Sequence, residues 1–167
     1  MTLHGFSRDF LEALFDYSIV TGKVYRRVAR SNRPAGEVVG TVDGKGYLHV
    51  SVGKRFIRLH QLALFLVAGE QPQQIDHANH ARLCNAWHNL RPCTARFNAG
   101  NSGIHAHNTS GFRGVSRNTK SGKWHAQLKI NGKQTYLGRR DTAEEAALLY
   151  NAAAVKHFGE FAHVNTF

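Results

Sequence analysis

Gln74-Ile75-Asp76-His77-Ala78-Asn79, followed by Asn89-Leu90-Arg91 and then by Arg96-Phe97-Asn98, is the stretch that decides how this chain is read. The segment 73–78, which carries Asp76-His77, has strand character. The polar segment 79–88 reads as a loop, and 89–93 as a second short strand. Thr94 is placed to cap a helix that runs to about Asn101 and carries Asn98. Strand, loop, strand, helix is the order of a ββα unit. A neutral imidazole takes a proton from water near pH 7. A carboxylate and an amide oxygen are hard ligands suited to Mg²⁺ or Mn²⁺. A second amide braces the loop that aims the imidazole. Successive strand residues point to opposite sides, so Asp76 and His77 divide the labour between an ion and a water molecule. The same residues also suit a hydrogen-bonded turn with two helix caps. The chemical reading therefore rests on the ordered set, not on any one member.

Upstream, Phe6, Phe10, Leu11, Leu14 and Phe15 recur at helical spacing and predict a helix over 6–17, with Ser7 as its cap. From Ser18 to Leu59 glycines interrupt clusters of Val, Ile and Tyr. Val38–Val42, Tyr47–Val52 and Phe56–Leu59 are the best strands. His60–Ala68 predicts a buried helix, stopped by Gly69 and Pro72, with His60 a core histidine or one that supports the site. Downstream, 102–109 is small and polar and reads as a linker. Strands follow over 112–117, 123–130 and 133–137, the last two joined by Asn131-Gly132, the strongest short hairpin signal. Trp124, Ala126, Leu128 and Ile130 alternate with polar residues, which gives the middle strand one apolar and one polar face and Trp124 a core role. Thr142-Ala-Glu-Glu145 is a capping box opening a small-residue helix that Gly159 ends.

The charge balance narrows the class of partner. The 167 residues hold 22 Lys+Arg against 11 Asp+Glu, a net +11 with a pI near 10.2. Such a surplus attracts polyanions. It is spread, +6 over residues 1–105 and +5 over 106–167, so both halves are prepared to meet phosphate. No run resembles a signal peptide or a membrane span, which predicts a cytosolic protein with no membrane partner. Cys84 and Cys93, with His80 and His88 nearby, lack a CxxC pair. They are read as two buried thiols and not as a structural zinc site.

Residues 15–101 resemble the HNH (ββα-metal) nucleases, in particular the phage and intron-encoded homing branch. The matching pieces are Arg58-Leu59-His60-Gln61-Leu62, Asp76-His77, Asn89-Leu90-Arg91 and Asn98-Ala-Gly-Asn101, with Gly46-Tyr47 before a strand. The resemblance implies that His77 is the general base and that Asp76 and Asn98 hold one Mg²⁺ or Mn²⁺ per active site. It implies that Asn89 ties the second strand to the His77 loop, and that the products carry 5′-phosphate and 3′-hydroxyl ends. Many members have His where this chain has Asn98; the Asn form occurs in the homing branch. Arg91 either reaches a phosphate or pairs on the surface.

Residues 110–165 resemble the Apetala-type (ethylene-response-factor) DNA-binding domain. The resemblance is carried by Ser110-Gly-Phe-Arg-Gly-Val115, Lys123-Trp124-His-Ala126, Tyr136-Leu137-Gly138, Thr142–Ala147, Tyr150-Asn-Ala-Ala153 and Gly159–Ala162 with Asn165. Arg139-Arg140 departs from the usual aromatic after Leu-Gly. The resemblance implies a three-stranded sheet lying in the major groove with a helix behind it. By family position and strand alternation, Arg113, Ser116, Asn118, Gln127, Lys129, Gln134 and Tyr136 read bases, while Arg117 and Lys120 position phosphates.

The expectation is an α+β protein with three parts: an HNH nuclease domain with extra antiparallel strands over 1–101, a linker over 102–109, and a sheet-and-helix DNA reader over 110–167. Its function would be homing-type cleavage of double-stranded DNA. A monomer nicks one strand; a double-strand break needs a dimer or a second binding event. The alternatives are a DNA-binding regulator with an inactive nuclease fold and an RNA-binding or structural protein, the latter lacking aromatic-rich ribonucleoprotein motifs.

Overall fold

The computed structural model describes the whole chain except Ser102, His105 and Ala106 and the side chain of Ala99. Those residues include part of the expected linker 102–109, which in that part lies outside the described residues. The fold is α+β, built from small antiparallel sheets and four helices among the described residues. It divides into two compact units, Met1–Thr94 and Ala95–Phe167. The helix that carries Asn98 therefore belongs to the second unit, and Asp76 and His77 to the first. No described helix is long and apolar enough to cross a membrane.

The first unit opens with β1 (Thr2–Leu3) and β2 (Phe6–Ser7), a two-stranded hairpin, and α1 (Arg8–Leu14). Ser7 caps α1: its Oγ accepts the Phe10 N–H at 3.2 Å. The helix is shorter than its sequence pattern suggests. Phe15–Tyr17 becomes β3, because Phe15 is buried as a strand residue opposite Arg26. Tertiary pairing overrides local periodicity here. β3 pairs with β4 (Val24–Arg26), and β4 with β5 (Val38–Val39). The strand expected over 38–42 breaks at Gly40, and its second half, β6 (Thr41–Val42), joins a different sheet with β7 (Leu48–Val52) and β8 (Arg55–Arg58). Leu11, Val24, Val50, Ile57, Leu62 and Phe65 close the core beneath these sheets.

α2 (Leu59–Ala68) is buried nearly all round, from Leu59 through Leu66, as a helix apolar on every face must be. One side joins that core. The other, through Ala63 and Leu64, packs with Leu90 and against Tyr17, Ile75 and Trp87. It thereby seats the hairpin of β9 (Gln74–His77) and β10 (Leu90–Cys93). Pro92 sits in β10, an edge position in a two-stranded sheet that tolerates a missing donor.

In the second unit α3 (Ala95–Gly100) precedes a loop. Then β11 (Val115–Arg117), β12 (Trp124–Ile130) and β13 (Lys133–Arg140) form a sheet in that order. β11 starts three residues later than expected. The 110–114 segment is a turn instead, with the Ser110 Oγ donating to Asn108 Oδ1 and Asn165 Oδ1 accepting the Arg113 N–H. Asn131-Gly132 closes the second hairpin as expected, although β13 runs on to Arg140. α4 (Ala143–Phe158) covers one face of the sheet. Thr142 and Glu145 form the expected capping box, and Ala143, Ala146, Ala147 and Ala154 let the helix lie close against Val115, Ala126 and Leu128.

Candidate active site and DNA-reading face

Asp76 and His77 end β9 as adjacent residues, each 5% exposed. Their surroundings differ. Asp76 lies directly opposite Arg91 in the antiparallel register, so the two side chains share a face. Asp76 Oδ2 accepts from Arg91 Nε at 3.2 Å and from its terminal guanidinium nitrogen, an ion pair that keeps a buried carboxylate compensated. The pair lies below the surface, and it bears on neither the phosphate contact nor the surface pair expected for Arg91.

His77 sits among polar and aromatic groups. Its Nε2 is 3.2 Å from Asn85 Oδ1. With the proton on Nε2, that bond leaves Nδ1 as the basic nitrogen. Tyr47 lies 5.8 Å from the ring, and His60 lies edge-on at 5.2 Å. Burial holds the His77 imidazole below its ordinary pKa. Asn85 and Asp76 oppose that shift, and Arg82 adds to it. The shift favours the neutral ring, the state a proton acceptor needs.

Each wall of this site has a local cause. Asp43 accepts the backbone N–H groups of Lys45 (2.8 Å) and Tyr47 (3.0 Å) and the Arg58 Nε (3.1 Å), so one carboxylate fixes the β6–β7 turn and the place of Tyr47. The guanidinium groups of Arg58 and Arg82 stand over the Tyr47 ring, 4.7 and 5.1 Å from its centroid. Asn89, 2% exposed, clamps the loop: its Oδ1 accepts the Asn79 N–H at 2.9 Å and its Nδ2 donates to the Cys84 carbonyl at 2.7 Å. Asn85 is 1% exposed, and Tyr17 donates its hydroxyl to the Asn85 carbonyl at 2.7 Å. The same burial raises the Tyr17 pKa to about 12, with Cys84 adding to the shift. Asn85, Tyr47 and Tyr17 were not singled out for the site on sequence. Only the Gly46-Tyr47 piece hinted at one of them.

Among the described residues no group of three or more His, Cys, Asp and Glu is arranged to hold a metal ion. Cys93 is buried, Cys84 partly so, and both are free thiols. The donors available for a hard cation are oxygens: the Asp76 carboxylate in the first unit and the Asn98 amide, on α3, in the second. A carboxylate oxygen and an amide oxygen are each hard donors of the kind Mg²⁺ and Mn²⁺ take.

In the second unit, Ser116, Gln127, Lys129, Gln134 and Tyr136 lie on the sheet face turned away from α4. Gln127 pairs with Tyr136 and Lys129 with Gln134, and Gln134 Nε2 donates to Gln127 Oε1 at 3.1 Å. Register places His125 and Arg139 on this face too, with His125 edge-on to Tyr136 at 5.4 Å. The alternation along β12 pointed to His125; a bulge at Ala126/Gln127 hid the parity of Arg139.

The remaining expected contacts lie elsewhere. Arg117 is opposite Trp124 and 5.9 Å over its ring. Asn118 Oδ1 accepts the N–H groups of Lys120 and Ser121, both at 3.0 Å, and so shapes the turn that exposes Lys120. Arg113 is half-buried. It donates to the Gly100 carbonyl and stands 5.7 Å over the Tyr150 ring, and desolvation lowers its pKa.

No family model matches the chain. It is 33% identical over 125 residues to an uncharacterized HNH endonuclease of Acanthamoeba polyphaga mimivirus, a match covering 73% of this chain and 64% of that protein. It is 33% identical over 88 residues to protein 3.8 of Escherichia phage T7, covering 53% of this chain and 72% of that protein. Over 57 residues, 34% of this chain, it is 44% identical to an AP2-like ethylene-responsive transcription factor of Arabidopsis thaliana. The chain spans just under two thirds of the mimivirus protein and 12% of the plant factor.

Proposed function

We propose that this chain, which belongs to the family of protein 3.8 of Escherichia phage T7, is a divalent-metal-dependent DNA endonuclease whose C-terminal unit holds it on duplex DNA. The observation that carries the reading is the buried His77, aimed by Asn85 and adjacent to Asp76 on a clamped ββ hairpin. Similarity to a protein named as an HNH endonuclease and to plant AP2-like factors supports both halves of it.

His77 accepts the proton of the attacking water. Asn85 fixes its tautomer, and Tyr47 and His60 fix its ring. Asn89 holds the loop, so the imidazole is not displaced as charge develops. Asp76 would hold one Mg²⁺ or Mn²⁺, which when bound would stabilise charge on the phosphate and on the leaving oxygen. Arg91 keeps the Asp76 carboxylate oriented. In the second unit, Ser116, Gln127, Lys129, Gln134 and Tyr136 face the major groove, while Arg117 and Lys120 stand at its phosphates. Tethering raises the local concentration of the nuclease at a recognised site.

Asp76→Ala separates the two functions. Plasmid nicking in Mg²⁺ is expected to disappear while duplex binding in a gel-shift assay stays within about threefold of wild type, less than the loss of one good base contact. Intact plasmid with the wild type, on DNA that it binds specifically, would instead assign the chain to DNA-binding regulators.

A further inference from the structure

At Gly40 the chain leaves one sheet and enters another, and the corner between the sheets is not filled. A cavity of about 300 Å³ lies there, with Arg26 of β4, Arg30 and Arg33 of the loop beyond it, and His49 and Ser51 of β7 in its wall. No acidic side chain lines it. Arg26 is bonded to Glu37 at 3.4 Å, but Arg30 and Arg33 form no ion pair among the described residues.

The backbone explains why these two arginines stand together. Arg30 and Arg33 exchange both backbone hydrogen bonds, at 2.9 and 3.0 Å, across a two-residue turn at Ser31-Asn32. Residues directly opposite in an antiparallel pair project to the same face, and like charges there repel. Two arginines that are exposed, opposite and at the mouth of a cavity without acids are stable partners for one bridging anion. Their planar forks suit a phosphate oxygen pair.

We propose that this corner is a phosphate clamp that grips a backbone phosphodiester of duplex DNA, giving the first unit its own hold on the substrate. The proposal rests on duplex DNA being the substrate but not on cleavage. It commits to the DNA backbone because net charge +11 runs through both halves of the chain.

The test uses the full-length Arg30→Gln/Arg33→Gln variant against a matched control, Lys23→Gln/Lys54→Gln, which removes the same charge from exposed positions of the same unit outside the cavity. Binding to a duplex of mixed sequence is measured without divalent metal over a range of salt. The clamp predicts a loss of about tenfold at low salt and a slope of log affinity on log salt smaller by roughly 1 to 2, with the control nearly unchanged. Equal losses in both variants, or none in the arginine variant, overturn it.

A second arm follows the melting temperature with added inorganic phosphate. Phosphate stabilisation lost only in the arginine variant, with DNA binding intact, assigns the pocket to a free phosphate and overturns the DNA assignment. A wild type that binds duplex through the clamp but never cuts leaves the clamp standing and removes the nuclease reading. A wild type that binds neither probe removes both.

Discussion

His60 shows how a single buried residue sets conditions for the whole site. Desolvation, with His77 and Arg58 adding to it, pushes its pKa from 6.5 down to about 3. An unfolded chain takes up the proton that the folded His60 refuses. Stability is therefore complete above about pH 6.5 and is lost as pH falls toward 3, by at most about 1.4 kcal/mol per unit. His77, depressed in the same direction, adds to the loss. The urea midpoint is expected to be flat above pH 7 and to fall steeply from pH 6 to 4, less steeply in His60→Leu. Asn89 acts through hydrogen bonds instead. Asn89→Ala leaves the Asn79 N–H and the Cys84 carbonyl without their partner, which costs about 2–3 kcal/mol in urea unfolding if both stay buried. Cleavage is expected to fall with it, because the same loop carries Asn85.

Among the elements, the turn after β3 matters more for His77 than its distance in sequence suggests. Gly22 has φ +70, and a Cβ there would stand 2.2 Å from Ala86 N and 2.3 Å from the Asn85 carbonyl carbon. Those are backbone atoms that cannot swing aside. Gly22→Ala is expected to destabilise the first unit by about 3 kcal/mol or more and to lower cleavage by displacing Asn85, measured by thermal melting and by nicking rate. Gly114 has the same role in the second unit, against Tyr150 Cδ2 at 2.2 Å. Elements of this kind explain what the sequence revealed. Local signals located α2, the β9–β10 hairpin, the Asn131-Gly132 turn and the capped α4, since periodicity, turn residues and caps act within a few positions. Phe15–Tyr17 misled because a helical apolar pattern continues into residues that a partner strand claims. Asn85 and Tyr17 could not be found that way, because their roles arise from contacts between segments 68 residues apart.

For the whole molecule, the first unit contains Asp76, His77 and Asn89, and the second contains Asn98 and the polar sheet face. The shared positive charge is expected to make duplex affinity fall linearly in log salt, with the slope counting phosphates met by both units. The proposed metal-dependent hydrolysis depends on His77 as its proton acceptor. The direct measurement is single-turnover cleavage of supercoiled plasmid by wild type and His77→Ala, with bound DNA quantified in the same samples. The wild type should form nicked product with Mg²⁺ or Mn²⁺ and none in chelator, and His77→Ala should bind equally and react about 10²–10⁴-fold more slowly. Equal rates in the two proteins, or wild-type cleavage that persists in chelator, would contradict it.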